Sequence, residues 1–230
     1  MRRRSILYVV LAVTLGGCAS PPQPTVVRTS SPPTTIGTEL PVEVVGPPEH
    51  DLGVAEIDRL AARADVTAPI LDRVLGEIRW DTLVMTRTRG ELTASCAGNR
   101  VTLRDGATTT CTTTFNGVAL QWHVDVRKGS RTAEGSQLYS YTISPPDKVL
   151  LLGKRVYSSF LSQNVGEPEP VRRRCDRIPD ISAFVVQADG ETDTGYRCQF
   201  LAKRDEQAFV WTPLQVYLRG NGYVRFYRLE

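Results

Sequence analysis

Cysteine and histidine are the residues of this chain best suited to nucleophilic, redox or metal chemistry, and both are few. The 230 residues contain two histidines, His50 and His123, and five cysteines, at positions 18, 96, 111, 175 and 198. Their spacing does not match the ligand sets of a zinc site. The sequence also lacks a Gly-rich phosphate-binding loop and a G-x-S-x-G nucleophile motif. We therefore expect neither a metal nor a cofactor.

One pair of residues could support acid–base chemistry. His123 and Asp125 are two residues apart, so both would lie on the same face of a β-strand. A histidine paired with a carboxylate beside a hydroxyl, here that of Thr110, is an arrangement that activates a nucleophile. A solvated strand histidine has the same spacing, and we favour this interpretation. A hydrolase that uses His123 and Asp125 is kept as an alternative.

The N-terminus indicates how the first cysteine is used. Arginines at positions 2–4 precede an apolar run from Ile6 to Leu15, followed by Gly16, Gly17 and Cys18. A charged start, a short apolar run and small residues are typical of a secretory signal. Leu15-Gly16-Gly17-Cys18 resembles the lipobox of bacterial lipoproteins. That resemblance implies cleavage after a signal peptide of residues 1–17, acylation of Cys18 and attachment to the outer face of the cytoplasmic membrane.

The charge balance argues against a nucleic-acid partner. The chain carries 28 basic and 25 acidic residues, and a signal over residues 1–17 removes three arginines, so 25 of each sign remain. The net charge of the remaining chain therefore gives no argument for binding to nucleic acid. The stretch RGNGYVRF at residues 219–226 is close to an RNA-binding signature. However, Asn221 occupies the position where base stacking requires an aromatic side chain.

The four cysteines after Cys18 predict a disulfide framework. An even number of cysteines in an exported chain suggests two disulfides, for which three connectivities exist. The order of the predicted elements repeats once along the chain: a helix, a cysteine, a turn with glycine and a second cysteine in a strand. This order favours one disulfide within each half, Cys96–Cys111 and Cys175–Cys198.

The composition divides the chain into a tether and a folded part. Residues 18–50 hold eight of the fifteen prolines with many Ser and Thr residues. Such a stretch buries too little apolar surface to offset its ordering entropy, so we predict a disordered tether. Beyond it we predict an α+β fold of two small disulfide-stapled modules, residues 51–128 and 138–230, with a linker at 129–137. Each module is expected to have a helix followed by antiparallel strands.

Hydrophobic spacing predicts the elements of both modules. In the first module it predicts helices at 54–64 and 69–78 and strands at 82–88 and 92–96. In the second, the sequence Ser144-Pro145-Pro146-Asp147 predicts the start of a helix whose buried stripe is Val149, Leu152, Val156 and Phe160. Further strands are predicted at 182–188, around Cys198, at 208–218 and at 223–229.

The clearest element is a β-hairpin between Thr108 and Val126. Asn116-Gly117 between two β-rich runs is a strong signal for a two-residue loop. That loop pairs Cys111 with Trp122 and places both on an apolar face.

The first module also resembles a known domain. Ser95-Cys96, the stretch GATTTCTTTFNG at 106–117 and Val124-Asp125-Val126 are similar to a small cysteine-paired domain of unknown function in actinobacterial lipoproteins. The resemblance covers residues 67–127. It implies an α+β module in which Cys96 pairs with Cys111, and it implies no activity.

The C-terminal hairpin provides a candidate partner surface. With Asn221-Gly222 as a two-residue loop, Tyr217 pairs with Phe226 and neither face is polar. Some aromatic and arginine side chains must then meet water or a partner, and Tyr and Arg are enriched at interface anchors. The residues of this candidate surface are Tyr217, Arg219, Tyr223, Arg225, Phe226 and Tyr227.

Taken together, these features favour a binding protein over an enzyme. We expect a membrane-anchored extracytoplasmic lipoprotein that acts as an interaction module for an envelope protein or polymer. A carrier of a small apolar ligand is an alternative, and it requires a cavity of several hundred Å³. An envelope hydrolase is the second alternative.

Overall fold

A computed structural model describes residues 34–163, 170–186, 190–205 and 208–229. Within these ranges the chain forms three α-helices and twelve β-strands. The helices are α1 Val54–Ala61, α2 Ile70–Thr86 and α3 Gly153–Ser162. The strands are β1 Thr34–Ile36, β2 Val42–Glu43, β3 Leu92–Cys96, β4 Thr108–Phe115, β5 Val118–Arg131, β6 Gln137–Ser144, β7 Lys148–Leu151, β8 Arg172–Cys175, β9 Ser182–Val185, β10 Glu191–Lys203, β11 Ala208–Arg219 and β12 Val224–Arg228. The predicted signal peptide, Cys18 and the tether up to residue 33 lie outside the described residues.

The described strands form three sheets. Strands β3, β4, β5 and β6 pair in that order in one antiparallel sheet. A second sheet has the order β1, β11, β10, β8, β2, with β12 also paired to β11, and its one parallel pair is β1 with β11. Strands β7 and β9 form a separate antiparallel pair. The predicted α+β class is confirmed.

Both predicted disulfides are present. Cys96 of β3 lies directly opposite Cys111 of β4, and Cys175 of β8 lies directly opposite Cys198 of β10. Each facing pair is bonded through sulfur. Each disulfide therefore joins neighbouring strands of one sheet.

The hairpin of β4 and β5 has the predicted register. Phe115 pairs with Val118 and Cys111 pairs with Trp122 across the Asn116-Gly117 loop. Both loop residues have a positive φ, 46° for Asn116 and 82° for Gly117, as a two-residue hairpin turn of this type requires.

Helix α2 replaces a predicted strand. The strand prediction for residues 82–88 is wrong, because α2 continues to Thr86. The hydroxyls of Thr82 and Thr86 donate to the carbonyls of Ile78 and Thr82, at 2.7 and 3.0 Å. Both threonines are fully buried. Their β-branched side chains therefore satisfy their hydroxyls inside the helix instead of favouring a strand.

The helix predicted for the second module begins later than expected. Residues Lys148–Leu151 form β7, and α3 starts only at Gly153. The continuous apolar run from Val149 to Leu152 is fully buried, which is typical of a strand covered on both faces. Val156 and Phe160 are buried along α3 as predicted.

The predicted linker and the end of the predicted tether are also ordered. Residues 129–137 belong to a hairpin, since β5 runs to Arg131 and β6 starts at Gln137. Within 34–50, β1 and β2 pair with β11 and β8, and Val44 is buried. These two short strands lie at the two ends of the strand order of an existing sheet. The structure therefore does not confirm a linker at 129–137 or disorder over residues 34–50.

Side chains from both halves of the described chain form the larger hydrophobic core. Met85 and Phe115 belong to the same core as Phe160, Cys175 and Val216. A smaller core, with Val74, Ile78 and Trp122, lies between α2 and the first sheet. The described residues from 34 onward belong to one compact unit, so the two-module layout is not confirmed. None of the described helices is long and apolar enough to cross a membrane.

Candidate functional site

The C-terminal hairpin has a different register from the predicted one. The amide of Arg219 donates to the carbonyl of Tyr223 at 2.9 Å, so Gly220, Asn221 and Gly222 form a three-residue loop. Gly222 has a φ of 78°, the left-handed conformation that closes such loops. The predicted pairing of Tyr217 with Phe226 is wrong, because Tyr217 pairs with Arg225.

This shift of one residue separates the hairpin into two distinct faces, because side chains alternate along a strand. The inner face is buried in the larger core and contains Leu214, Val216, Leu218 and Val224. Phe226 also lies on this face, and its ring centre is 5.1 Å from that of Phe160. The expectation that neither face is polar is therefore wrong, and Phe226 does not belong to the candidate partner surface.

The outer face collects the other five predicted surface residues, and we call it the Tyr–Arg face. Its members are Tyr217, Arg219, Tyr223, Arg225 and Tyr227, which alternate with the buried residues of the hairpin. Tyr223 is 45% exposed and Tyr227 is 41% exposed. The face therefore presents aromatic surface and charge to solvent.

Glu191 of β10 organises the Tyr–Arg face. Its carboxylate accepts hydrogen bonds from the guanidinium of Arg219 and, at 2.9 Å, from the hydroxyl of Tyr227. Arg225 lies 3.4 Å from the same carboxylate. The bond from Arg219 holds the pKa of Glu191 below its ordinary value, with Tyr227 and Arg225 acting in the same direction. Asp193, two residues further along β10, adds a second carboxylate to the same face, so the two arginines and the two carboxylates balance.

The run Arg172–Arg174 is not a free basic patch. It forms β8, where Arg172 lies 3.0 Å from the carboxylate of Glu39 and Arg174 lies 3.1 Å from it. Glu43 lies 3.5 Å from Arg172. The segment predicted as a tether thus supplies the carboxylates that pair with Arg172 and Arg174.

His123 and Asp125 do not form a nucleophile-activating group. Both project from the outer face of β5, where His123 is exposed opposite Thr110. Asp125 accepts a hydrogen bond from the hydroxyl of Thr108. Among the described residues, no side chain forms a hydrogen bond with His123, and no group of His, Cys, Asp and Glu residues could hold a metal ion.

The described part of the chain also contains a cleft of about 300 Å³ that sequence analysis missed. It lies between α2, the paired strands β5 and β6, and the Gly220–Gly222 loop. Its apolar wall is formed by Val84, Met85, Trp122, Ile143, Pro146 and Val186.

Buried hydrogen bonds position the walls of the cleft. The indole nitrogen of Trp122 donates to the hydroxyl of Thr113 at 2.9 Å. That hydroxyl lies 3.0 Å from the hydroxyl of Thr82 on α2. A Cβ added at Gly222 would lie 2.1 Å from the carbonyl oxygen of Met85, so the loop touches the helix backbone directly. The cleft is therefore held by the packing of α2 against two hairpins.

Asp81 places a carboxylate in this apolar cleft. Among the described residues it has no hydrogen-bond or ion-pair partner. Burial raises the pKa of Asp81, and the negative charge of Glu77, one turn earlier on α2, raises it further, while the positive charge of Arg63 opposes them with a smaller effect. Glu77 accepts a hydrogen bond from the hydroxyl of Tyr141 at 3.0 Å. A partly buried, unpaired carboxylate that lines a cleft is a common feature of functional sites.

Part of this site had a signal in the sequence. Glu77 and Asp81 are four residues apart, which places them on one face of any helix that contains both. The strand prediction at 82–88 ended the helix too early and hid this relation. The opposite wall, from Ile143 to Asn221, comes from residues far apart in the chain and had no local signal.

No protein-family model, curated protein or solved structure matches this chain. The resemblance of residues 67–127 to a lipoprotein domain thus stays a prediction. The functional conclusions below therefore depend on the geometry of the described residues.

Proposed function

We propose that this protein is a lipid-anchored, extracytoplasmic binding module of the bacterial cell envelope, and that its Tyr–Arg face binds a protein partner. The observation that carries the proposal is the separation of the C-terminal hairpin into a buried face and an exposed Tyr–Arg face. The two disulfides support export, because disulfides persist in oxidising compartments. Cys18, outside the described residues, would carry the acyl anchor.

The chemistry of the Tyr–Arg face fits an interface anchor. Tyr and Arg provide large contact area with directional hydrogen bonds, and they dominate the energetics of many interfaces. The bonds of Glu191 to Arg219 and Tyr227 hold these long side chains before a partner arrives, which reduces the entropy lost on binding. Because the face carries arginines and carboxylates side by side, we propose a protein partner whose surface presents complementary charges of both signs.

A second candidate function is the transport or storage of a small apolar ligand. The cleft of about 300 Å³ favours it, because ligand sites begin at about this size and have mostly apolar walls. The Tyr–Arg face and the cleft are different surfaces, so the two functions do not exclude each other.

The anchor is tested by replacing Cys18 with serine. We expect the wild-type protein in the membrane fraction, since two or three acyl chains bind a bilayer firmly where one does not. The Cys18→Ser variant should lose the lipid mass and should not be held at the membrane by acyl chains. Cell fractionation and intact-mass analysis measure both effects. A variant that stays in the membrane, with no lipid missing from its mass, would show that Cys18 is not the anchor.

The partner surface is tested by the double variant Tyr223→Ala/Arg225→Ala. We expect it to lose the cross-linked partner obtained from intact envelopes, while its stability changes by less than about 1 kcal/mol, because these exposed side chains lie outside the core. The matched control is Arg228→Ala. Arg228 is an exposed arginine of the same strand, and its side chain lies on the face opposite the Tyr–Arg face.

The control should keep the partner. An unchanged set of cross-linked proteins in the double variant, together with a loss of stability, would restrict the Tyr–Arg face to a structural role.

A further inference from the structure

We propose that the cleft binds a small organic cation, an amine or guanidine attached to an apolar group, with Asp81 as its counter-ion. This inference rests on the small-ligand candidate above and specifies the chemistry of its ligand. It requires neither the lipid anchor nor the partner surface.

The wall of the cleft selects an apolar group. Met85, Trp122 and Val186 are almost fully buried, at 5%, 2% and 4% exposure, yet each borders the open space. A ligand in this space would therefore contact side chains that are already desolvated. Met85 adds a flexible thioether side chain that can adapt to different shapes.

The charge of the cleft selects the polar end of the ligand. Among the described residues that line the cleft, Asp81 is the one that is ionisable, and it is partly buried. Glu77 is a second carboxylate one turn earlier on the same helix, and it accepts a hydrogen bond from Tyr141. An anion in the cleft would face the carboxylate of Asp81, whereas a cation would provide the partner that this carboxylate lacks.

Two arginines that contact α2 are engaged by other groups. Arg63 lies over the ring of Trp80 at 5.4 Å and pairs with Asp58 at 3.8 Å. Arg155 donates to the carbonyl of Met85 and pairs with Asp51 at 3.8 Å. Neither forms a hydrogen bond or an ion pair with Asp81, although the charge of Arg63 acts on Asp81 through space. A cation from solution is therefore the group that would complete the site.

The experiment uses the full-length purified protein and titration calorimetry with matched probes. The amines are cyclohexylamine and phenethylamine, the neutral isosteres are cyclohexanol and phenethyl alcohol, and the anion is 3-phenylpropanoate. We expect each amine to bind about tenfold more tightly than its alcohol, and the anion to bind least.

Three variants locate the site. Asp81→Asn should reduce amine binding to the level of the alcohol, and it should fold, because it removes a charge that burial disfavours. Asp72→Asn changes an exposed aspartate of the same helix and should bind all probes like the wild type. Ile143→Trp should fill the cleft and weaken every probe.

The outcomes distinguish the cation preference from the existence of a small-ligand site. Equal binding of amines and alcohols, abolished by Ile143→Trp, would overturn the cation preference and keep a small-ligand site. No binding by any probe, or binding unaffected by Ile143→Trp, would overturn both.

Discussion

Replacing Cys175 and Cys198 together by alanine is expected to lower the free energy of unfolding by about 3 kcal/mol. The two cysteines are 23 residues apart in the chain and face each other on β8 and β10. Without the bond, the unfolded chain regains the freedom that this loop closure removes, and the folded state gains nothing. Both side chains are fully buried in the larger core, so the loss also includes a packing contribution.

The matched comparison is the double variant Cys96→Ala/Cys111→Ala. Its loop spans 15 residues, and closure entropy varies only with the logarithm of loop length, so a similar loss of about 3 kcal/mol is expected. Urea unfolding followed by circular dichroism measures both. A loss below about 1 kcal/mol for the Cys175 and Cys198 variant would contradict a stabilising role for that disulfide.

The second large effect is expected from Gly222→Ala. The new Cβ would lie 2.1 Å from the carbonyl oxygen of Met85, and the left-handed φ of 78° is unfavourable for alanine. Either the C-terminal hairpin moves away from α2 or the loop changes conformation. We expect the free energy of unfolding to fall by at least about 3 kcal/mol, as for other changes that strain the backbone and displace packed elements. Because the loop borders the cleft, probe binding should weaken as well.

Gly117→Ala provides the control for this prediction. Gly117 has a similar φ of 82°, but an added Cβ there has no atom within 4 Å. The free energy of unfolding of this variant should fall by only about 1 kcal/mol, which is the cost of placing alanine in the left-handed conformation. The difference between the two variants in denaturant unfolding isolates the contact with Met85. Equal losses would show that the close approach of the loop to α2 has no energetic consequence.

Local patterns were sufficient where one short segment determines its own geometry. The Asn116-Gly117 loop imposes the register of β4 and β5, because its two positive φ values fit the twist of the flanking strands. The alternation of Leu120, Trp122 and Val124 then identifies the buried face. The disulfide pairs were predicted from the order of elements, since cysteines on neighbouring strands of one half can meet without a long-range rearrangement.

Local patterns failed where the same residues suit two structures. The threonine-rich end of α2 has strand propensity, and only burial against Thr113 and a hydroxyl bond inside the helix make it helical. The run before Gly153 has too few residues to distinguish a buried strand from the first turn of a helix. The loop of the C-terminal hairpin could hold two or three residues, and the contact of Gly222 with α2 is compatible with the longer loop.

The amino-acid sequence by itself determined the α+β class, the two disulfides and the residues that make up most of the Tyr–Arg face. Tertiary structure alone decided that Tyr217, Arg219, Tyr223, Arg225 and Tyr227 share one face, because a register shift of one residue inverts a strand. It also decided that the two halves share a core and enclose a cleft around Asp81. The physical reason is that such a cleft is the space left between packed elements. Its shape depends on contacts between residues as distant as Met85 and Gly222, and no local propensity encodes them.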